Sequence, residues 1–329
     1  MKHFQLLLIF CLPLLLLTGC AASGSSREFF AMDTVMQATA YGSGADDALQ
    51  AAEEEIYRLE QLFSCQAPEA ELARAGQLTV SAETAALVQT ALDLSEATGG
   101  AYDPTLYTLS LAWGFSGGAY RVPDAEELRS LLAVTGASRV SVNGCRVTLQ
   151  PGTQLDLGGI AKGYAAGQLR KLLTDAGIRS AIVSLGGNIA AVGTKPDGSD
   201  WQVGLQDPEN PDTYFGILSV RDACVVTSGG YQRYFEQDGV RYHHILDPKA
   251  GYPAERGLRS VSVVSEDDTL ADALSTALFV MGFDEGQALW RSGTLPFEAV
   301  WMLQDGSVYL TPGLSGSYRS ERAFQVIAS

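Results

Sequence analysis

Histidine is nearly missing from this 329-residue chain: there are three, at positions 3, 243 and 244. A general base working near neutral pH must therefore be one of these, or a carboxylate whose pKa is raised. Cysteine is scarce too, with five in the chain, and no pair has CxxC or zinc-ligand spacing. Lys and Arg total 22 against 38 Asp and Glu, a net charge of −16 that repels nucleic acid and anionic lipid. No nucleic-acid partner is expected, and a polyanionic ligand needs local cationic help. A GxxxxGK[ST] loop and a complete GxGxxG are both missing, which removes the common nucleotide fingerprints. Long apolar runs are confined to residues 4–17, interrupted by Gln5 and Pro13 and short of the ~20 residues a membrane helix needs.

What is present reads as an exported globular chain. Hydrophobic residues make up 46% and charged residues 18%, with 35 Gly and 12 Pro, which suits one large domain or two closely packed ones. Lys2 precedes the apolar run, and Leu17-Thr18-Gly19-Cys20 after it matches the bacterial lipobox, whose cysteine is acylated and becomes the new N-terminus. Residues 1–19 are thus expected to be a lipoprotein signal peptide and 20–27 a small, polar tether, with the folded domain spanning 28–329. A palmitate-type anchor on Cys20 would hold the protein at the extracytoplasmic face of a bacterial cell membrane. Cys11 leaves with the signal, and Cys65, Cys145 and Cys224 read as small buried hydrophobes.

Helical periodicity appears at residues 45–62, 82–97, 124–134, 159–176, 268–281 and 284–292, with Gly99, Gly177 and Gly282 placed as C-terminal caps. Asp124 with Glu127 reads as a capping box. Asn143-Gly144, Asp197-Gly198, Asp238-Gly239 and Asp305-Gly306 each carry a tight-hairpin signal. Helices and hairpins in irregular order predict an α+β fold with hairpin-rich, mixed or antiparallel sheets, packed helices and a ligand cleft between two subdomains.

Three segments carry candidate chemistry. Asp156-Leu157-Gly158-Gly159-Ile160-Ala161-Lys162-Gly163 enters a helix through paired glycines, a junction that exposes N–H groups to phosphate, or simply lets helix and sheet approach. Asp272 and Thr276, four apart on a helix, face the same way and offer hard oxygen ligands suited to Mg²⁺; otherwise Asp272 sits on a solvated face while Asp267 or Asp268 caps. In Tyr242-His243-His244-Ile245-Leu246-Asp247-Pro248, strand alternation sends the two histidines to opposite faces, so one alone can look into a given cleft.

Taken in order, several segments resemble the FAD:protein FMN transferase (ApbE) family. They are Met32-Asp33-Thr34; Gly100-Ala101-Tyr102-Asp103-Pro104-Thr105 with Trp113-Gly114-Phe115; Asp156 to Gly163; Ser184-Leu185-Gly186-Gly187-Asn188; Thr227-Ser228-Gly229; His244 to Pro248 with Gly251; and Asp272-Ala273-Leu274-Ser275-Thr276. The resemblance implies Mg²⁺-dependent cleavage of FAD, transfer of FMN to a Ser or Thr hydroxyl of an acceptor protein, and release of AMP. It implies that Met32, Asp33, Thr34, Ala101, Tyr102, Asp103, Asp156, Lys162 and Leu246 line the FAD site. Asp272, Thr276 and the Gly159 carbonyl would hold Mg²⁺, and His244 would be the base. Implied acceptors are exported or membrane flavoproteins such as redox-complex subunits. Two rival readings use the same residues: a metal-dependent FAD pyrophosphatase giving FMN and AMP, and a non-catalytic flavin-binding lipoprotein. The resemblance lapses after the first long helix, where Gln66 precedes Pro68 and Ala70-Glu71-Leu72 leads to Gly76. That loop bears on the balance between transfer and hydrolysis.

Overall fold

Short strand-forming runs separated by turn residues outnumber the helices, and they assemble chiefly by antiparallel pairing. The computed structural model describes residues 24–64, 72 and 76–328. The signal segment, Cys20 and most of the Gln66-to-Gly76 loop lie outside the described residues. In chain order the elements begin with β1 (Gly24–Ala31), β2 (Thr34–Tyr41), α1 (Ala45–Phe63), β3 (Gln77–Thr79), α2 (Ala82–Ala97), α3 (Tyr107–Trp113) and α4 (Ala125–Leu132). Next come β4 (Val140–Asn143), β5 (Arg146–Leu149), α5 (Ala161–Asp175), β6 (Ser180–Leu185), β7 (Asn188–Gly193), β8 (Trp201–Gln206), β9 (Tyr214–Val220) and β10 (Cys224–Gly229). The chain finishes with β11 (Tyr234–Gln237), β12 (Val240–His243), β13 (Leu258–Ser265), α6 (Asp268–Ser292), β14 (Glu298–Leu303), β15 (Val308–Leu310), β16 (Tyr318–Arg319) and β17 (Phe324–Val326).

Nine strands form one sheet in the order β1-β2-β6-β7-β10-β13-β14-β15-β17, with β15 and β17 its parallel pair. Helices α1, α5 and α6 pack on one face, where Ala52, Ile56, Leu169, Leu173, Leu274 and Leu278 meet the inward residues of the sheet. A three-stranded sheet, β16-β9-β8, covers the other, so that Trp201, Phe215 and Leu218 pack on Val225, Val300 and Met302. This is the mixed, hairpin-rich α+β architecture expected. A separate core of Leu109, Trp113, Phe115, Leu128 and Leu246 joins α3 and α4 to the isolated two-stranded hairpin β11-β12. The chemistry-bearing residues gather between this small core and the main one.

Local signals explain most boundaries. Gly99, Gly177 and Gly282 all take positive φ, and at Gly282 (φ 81°) the last helix kinks, as two adjoining periodic stretches imply. Asn143-Gly144, Asp238-Gly239 and Asp305-Gly306 each turn a paired hairpin. Asp197-Gly198 does not: β7 and β8 belong to different sheets, and the turn is closed locally by Gly198 N–H donating to the Lys195 carbonyl. Only half of the capping box forms, because Asp124 accepts from the Glu127 N–H while the Glu127 carboxylate pairs with Arg121. Of the residues read as tether, Gly24 to Arg27 pair with β2 as the first half of β1, and 20–23 lie outside the described residues. Cys224 is buried as expected, but Cys145 is exposed because it follows the Asn143-Gly144 turn.

Candidate functional site

The first turns of α6 sort its acidic residues into different tasks. Asp267 caps the helix by accepting the Leu270 N–H at 3.0 Å, and buried Asp268 is paired with Arg170 at 2.8 Å. Asp272 is 4% exposed and, among the described residues, has no Lys or Arg partner. Its Oδ2 accepts the Gly163 N–H at 2.8 Å. One turn on, Thr276 Oγ1 lies 3.7 Å from the point a Cβ on Gly159 would occupy, and Tyr102 Cε2 lies 3.2 Å from that same point. Gly159, Asp272, Thr276 and Tyr102 thus share a small space that joins α5 to α6. A buried carboxylate without a cationic partner, one turn from a hydroxyl on the same helix, is chemistry that suits a hard cation.

Glycine is required where the two helices touch. A Cβ on Gly163 would stand 2.3 Å from the Asp268 carbonyl oxygen and 2.6 Å from Asp272 Cβ. Gly163→Ala is accordingly expected to lower the melting temperature by about 3–10 °C through overpacking against backbone, measured by calorimetry. An unchanged Tm would mean that the helices separate freely.

Helix α5 starts at Ala161, two residues later than expected, with Ile160 in a non-helical conformation. The amides expected to await phosphate are partly taken: Asp156 Oδ1 accepts the Gly158 N–H at 2.8 Å, and Asp272 holds that of Gly163. The chain's own carboxylates fill the positive end of the helix, as its dipole favours. Lys162 Nζ folds back to donate to the Gly158 carbonyl at 2.9 Å. Burial holds the Asp156 carboxyl above its ordinary range, with Lys162 and Arg233 pulling the other way. Asp103 is raised by burial as well, while its Oδ1 accepts the Thr105 N–H at 2.8 Å and the Thr105 hydroxyl at 2.5 Å. Tyr102 is pushed up by burial and by Asp156, Asp272 and Asp103, so its phenol keeps its proton.

The two histidines diverge as alternation requires. His243 Nε2 sits 3.2 Å from the Ala254 carbonyl, its ring stands edge-on to Phe279, and it lines a separate cavity of about 590 Å³ behind β12. His244, just past β12, contacts Phe115 instead. Its N–H and its Nδ1 both meet the Arg233 carbonyl, at 3.1 and 3.2 Å. A carbonyl only accepts, so Nδ1 carries the proton and Nε2 presents a lone pair. Burial pushes the His244 pKa down to about 4, with Arg233 and Lys162 acting in the same direction. At neutral pH it is an uncharged base.

The segment after His244 is scaffolding. Asp247 Oδ1 accepts the N–H groups of Lys249 and Ala250, and the Trp113 indole donates to the Gly251 carbonyl at 2.8 Å. Leu246 is packed in the small core with Trp113 and Phe115. Ala101 is buried in the main core beside Tyr102. Met32, Asp33 and Thr34 form a second group, at the β1-β2 turn. Met32 and Asp33 hold φ of 48° and 58°, a conformation non-glycine residues rarely adopt, and a Cβ on the neighbouring Gly186 would lie 2.6 Å from Thr34 Cγ2. Glu60 Oε1 pins this turn by accepting the Met32 N–H at 2.7 Å.

Sequence reasoning missed Glu60 and Arg233. Nothing along the chain marks Glu60. Arg233 was within reach, because counting outward from the Asp238-Gly239 turn pairs Tyr234 with His243 and so sets Arg233 opposite His244.

A neutral imidazole, a lysine that acts on both it and Asp156, and a buried carboxylate without a cationic partner, on an α+β scaffold, suit a group-transfer enzyme. A profile of the ApbE family matches residues 32–301, and the chain belongs to that family. It is similar to the FAD:protein FMN transferase of Treponema pallidum, 36% identical over 88% of this chain and 87% of the relative. The FAD:protein FMN transferase of Klebsiella pneumoniae is 37% identical over 71% of this chain and 73% of its own length. Among solved structures, the ApbE protein of Thermotoga maritima superposes with a TM-score of 0.84 at 33% identity, covering 91% of this chain and all of that one. The flavinyl transferase ApbE of Pseudomonas stutzeri gives 0.77 at 32% identity, over 87% of this chain and 92% of its own.

Proposed function

We propose that this chain is an FAD:protein FMN transferase that uses Mg²⁺ to move FMN from FAD onto a Ser or Thr hydroxyl of an acceptor protein, releasing AMP. The observation that carries the reading is a neutral His244 whose charge state feels Lys162, the lysine that also acts on Asp156, while Asp156 and Asp272 both act on the Tyr102 phenol beside Gly159 and Thr276. In the reaction the acceptor oxygen forms a bond to the flavin-side phosphorus, the bridging P–O bond breaks, and the bridging oxygen leaves with AMP. His244 Nε2 takes the hydroxyl proton, its ring held in place by the Arg233 carbonyl on Nδ1. Asp272, Thr276 and the Gly159 carbonyl would hold Mg²⁺, which when bound neutralises charge developing on the phosphates. Lys162 can exchange its bond to the Gly158 carbonyl for a phosphate oxygen.

Incubation with FAD, Mg²⁺ and an acceptor domain, followed by mass measurement, tests this. The expected result is an acceptor heavier by one FMN and one equivalent of AMP. Free FMN and AMP with an unmodified acceptor would identify a pyrophosphatase, and intact FAD a binding protein.

The lipobox supports a lipid-anchored enzyme at the outer face of the cytoplasmic membrane, acting on exported or outward-facing acceptors such as redox-complex subunits. Cys20→Ser removes the acylated thiol, and with it the ~0.8 kcal/mol that each buried CH₂ contributes to anchoring. The variant should leave the membrane fraction yet transfer FMN at the wild-type rate. Membrane retention of Cys20→Ser would overturn the anchor.

A further inference from the structure

In an antiparallel pair, alternate residues turn both main-chain hydrogen-bonding groups towards the partner strand, and the residues between turn theirs away. The phase of β11-β12 is set by the His244 N–H, which donates to the Arg233 carbonyl at 3.1 Å. Tyr242 and Val240, opposite Phe235 and Gln237, therefore face β11 as well. Arg241 and His243 carry their N–H and C=O to the other edge of β12. Ile245 keeps the same phase, its carbonyl accepting the Ala254 N–H at 2.9 Å from that side. Among the described residues no backbone group pairs with Arg241 or His243 along this edge.

Those same two residues line the cavity of about 590 Å³, together with Ala254, Gly257 and Leu258 of the stretch that enters β13. Its volume is that of a ligand pocket, about 300–1,000 Å³. Its two arginines are already answered, Arg241 by Glu236 at 3.2 Å and Arg259 by Glu209, so it holds no unbalanced guanidinium for a phosphate. What it offers instead is a row of unpaired donors and acceptors at strand spacing, which suits an extended polypeptide. Relatives of this chain are FAD:protein FMN transferases, whose second substrate is a protein, and the residue that follows His243 is His244.

We propose that an extended segment of the acceptor protein, adjoining its receiving Ser or Thr, pairs with β12 along the Arg241-His243 edge and lays side chains into this cavity. The inference rests on the FMN-transfer reading above and adds the surface that recognises the acceptor. Side chains alternate in an added strand too, so the neighbour of a residue that enters the cavity turns to the face of the hairpin that carries His244.

Arg241→Pro removes an outward N–H that β11 does not use, and proline is tolerated at such an edge. The variant is expected to raise the KM for the acceptor domain about 10-fold while the Kd for FAD stays at the wild-type value. Glu236→Pro removes the outward N–H on the opposite edge of the same hairpin, at β11, and should leave the acceptor KM unchanged. A wild-type acceptor KM in Arg241→Pro would overturn the proposal, as would an equal rise in Glu236→Pro. Amide hydrogen exchange on the unaltered enzyme gives an answer that does not depend on how either variant folds. Adding the acceptor domain with its receiving residue replaced by Ala should slow exchange at Arg241 and His243 by about 10-fold and leave Tyr242 and His244 as they were. Exchange at Arg241 and His243 that is unmoved by the bound acceptor, or slowing shared equally by Tyr242 and His244, would overturn edge pairing. If the wild type with FAD and Mg²⁺ added no FMN to the unaltered acceptor domain, the FMN-transfer reading itself would fall and take this inference with it.

Discussion

Asp272→Asn is expected to abolish FMN transfer, lowering the rate by at least about 10³-fold, while the protein stays folded. The side chain keeps its shape and an oxygen to accept the Gly163 N–H, so the α5-α6 contact survives. What disappears is the single negative charge in the group formed with Thr276 and the Gly159 carbonyl. Loss of a charged cation ligand costs several kcal/mol, and about 4 kcal/mol corresponds to 10³ in rate. Asp272→Ala should be as inactive and less stable, because it also strands the Gly163 N–H. Thr276→Ala, which removes a neutral donor, should be milder and should respond to added Mg²⁺. Rates measured across a Mg²⁺ titration decide the matter: wild-type activity of Asp272→Asn at low Mg²⁺ would remove the residue from the metal site.

His244→Ala should slow transfer by about 10²- to 10⁴-fold and leave FAD affinity nearly unchanged, as suits a group that acts on a proton. His243→Ala should do far less, since that ring faces Ala254 and Phe279. The acid limb of kcat/KM should fall near the depressed pKa of His244, about 4, instead of at the ordinary 6.5. The sign follows from which form reacts: below that pKa Nε2 is protonated and has no lone pair to offer. Folding is linked to the same group. Between about pH 6.5 and 4 the unfolded chain binds the proton that the folded chain refuses, so stability falls as pH falls through this window. His244→Ala should flatten that dependence. An acid limb at 6.5 in the wild type would place the imidazole in solvent.

Much of this was legible in the chain because it depends on local chemistry. The helix at α6 announces itself by Asp267 as cap and by apolar periodicity, and Asp272 and Thr276 then share a face by helical spacing alone. The β11-β12 register follows from the Asp238-Gly239 turn, and with it the opposed histidines. What escaped was set by distant partners. The Met32-Asp33 turn has no Gly or Asn to announce its positive φ; it is held by the Glu60 carboxylate 28 positions away in sequence. Helix α3 was unexpected because its seven residues are too few to show periodicity, and it is fixed by the burial of Leu109 and Trp113. The glycine-led start of α5 was recognised, but the carboxylates that take its amides come from Asp156 and, across 109 positions, from Asp272.

Among the described residues the β11-β12 hairpin is hydrogen-bonded into no other sheet, and it carries His243 at its end with His244 just beyond. Two strands alone are marginal in water, so its persistence depends on the rings stacked against it: Phe235 on Tyr120 and Tyr242, and Tyr242 on Trp113. His244, the proposed proton acceptor, is therefore mounted on a panel expected to detach at lower free energy than the nine-stranded platform beneath it. Inactivation by heat or denaturant need not coincide with global melting. A sample can keep its far-ultraviolet signature and its bulk after the aromatic stack has slipped and the chemistry has stopped, and drift at Tyr120 or Phe235 can retire the enzyme while leaving an intact fold behind.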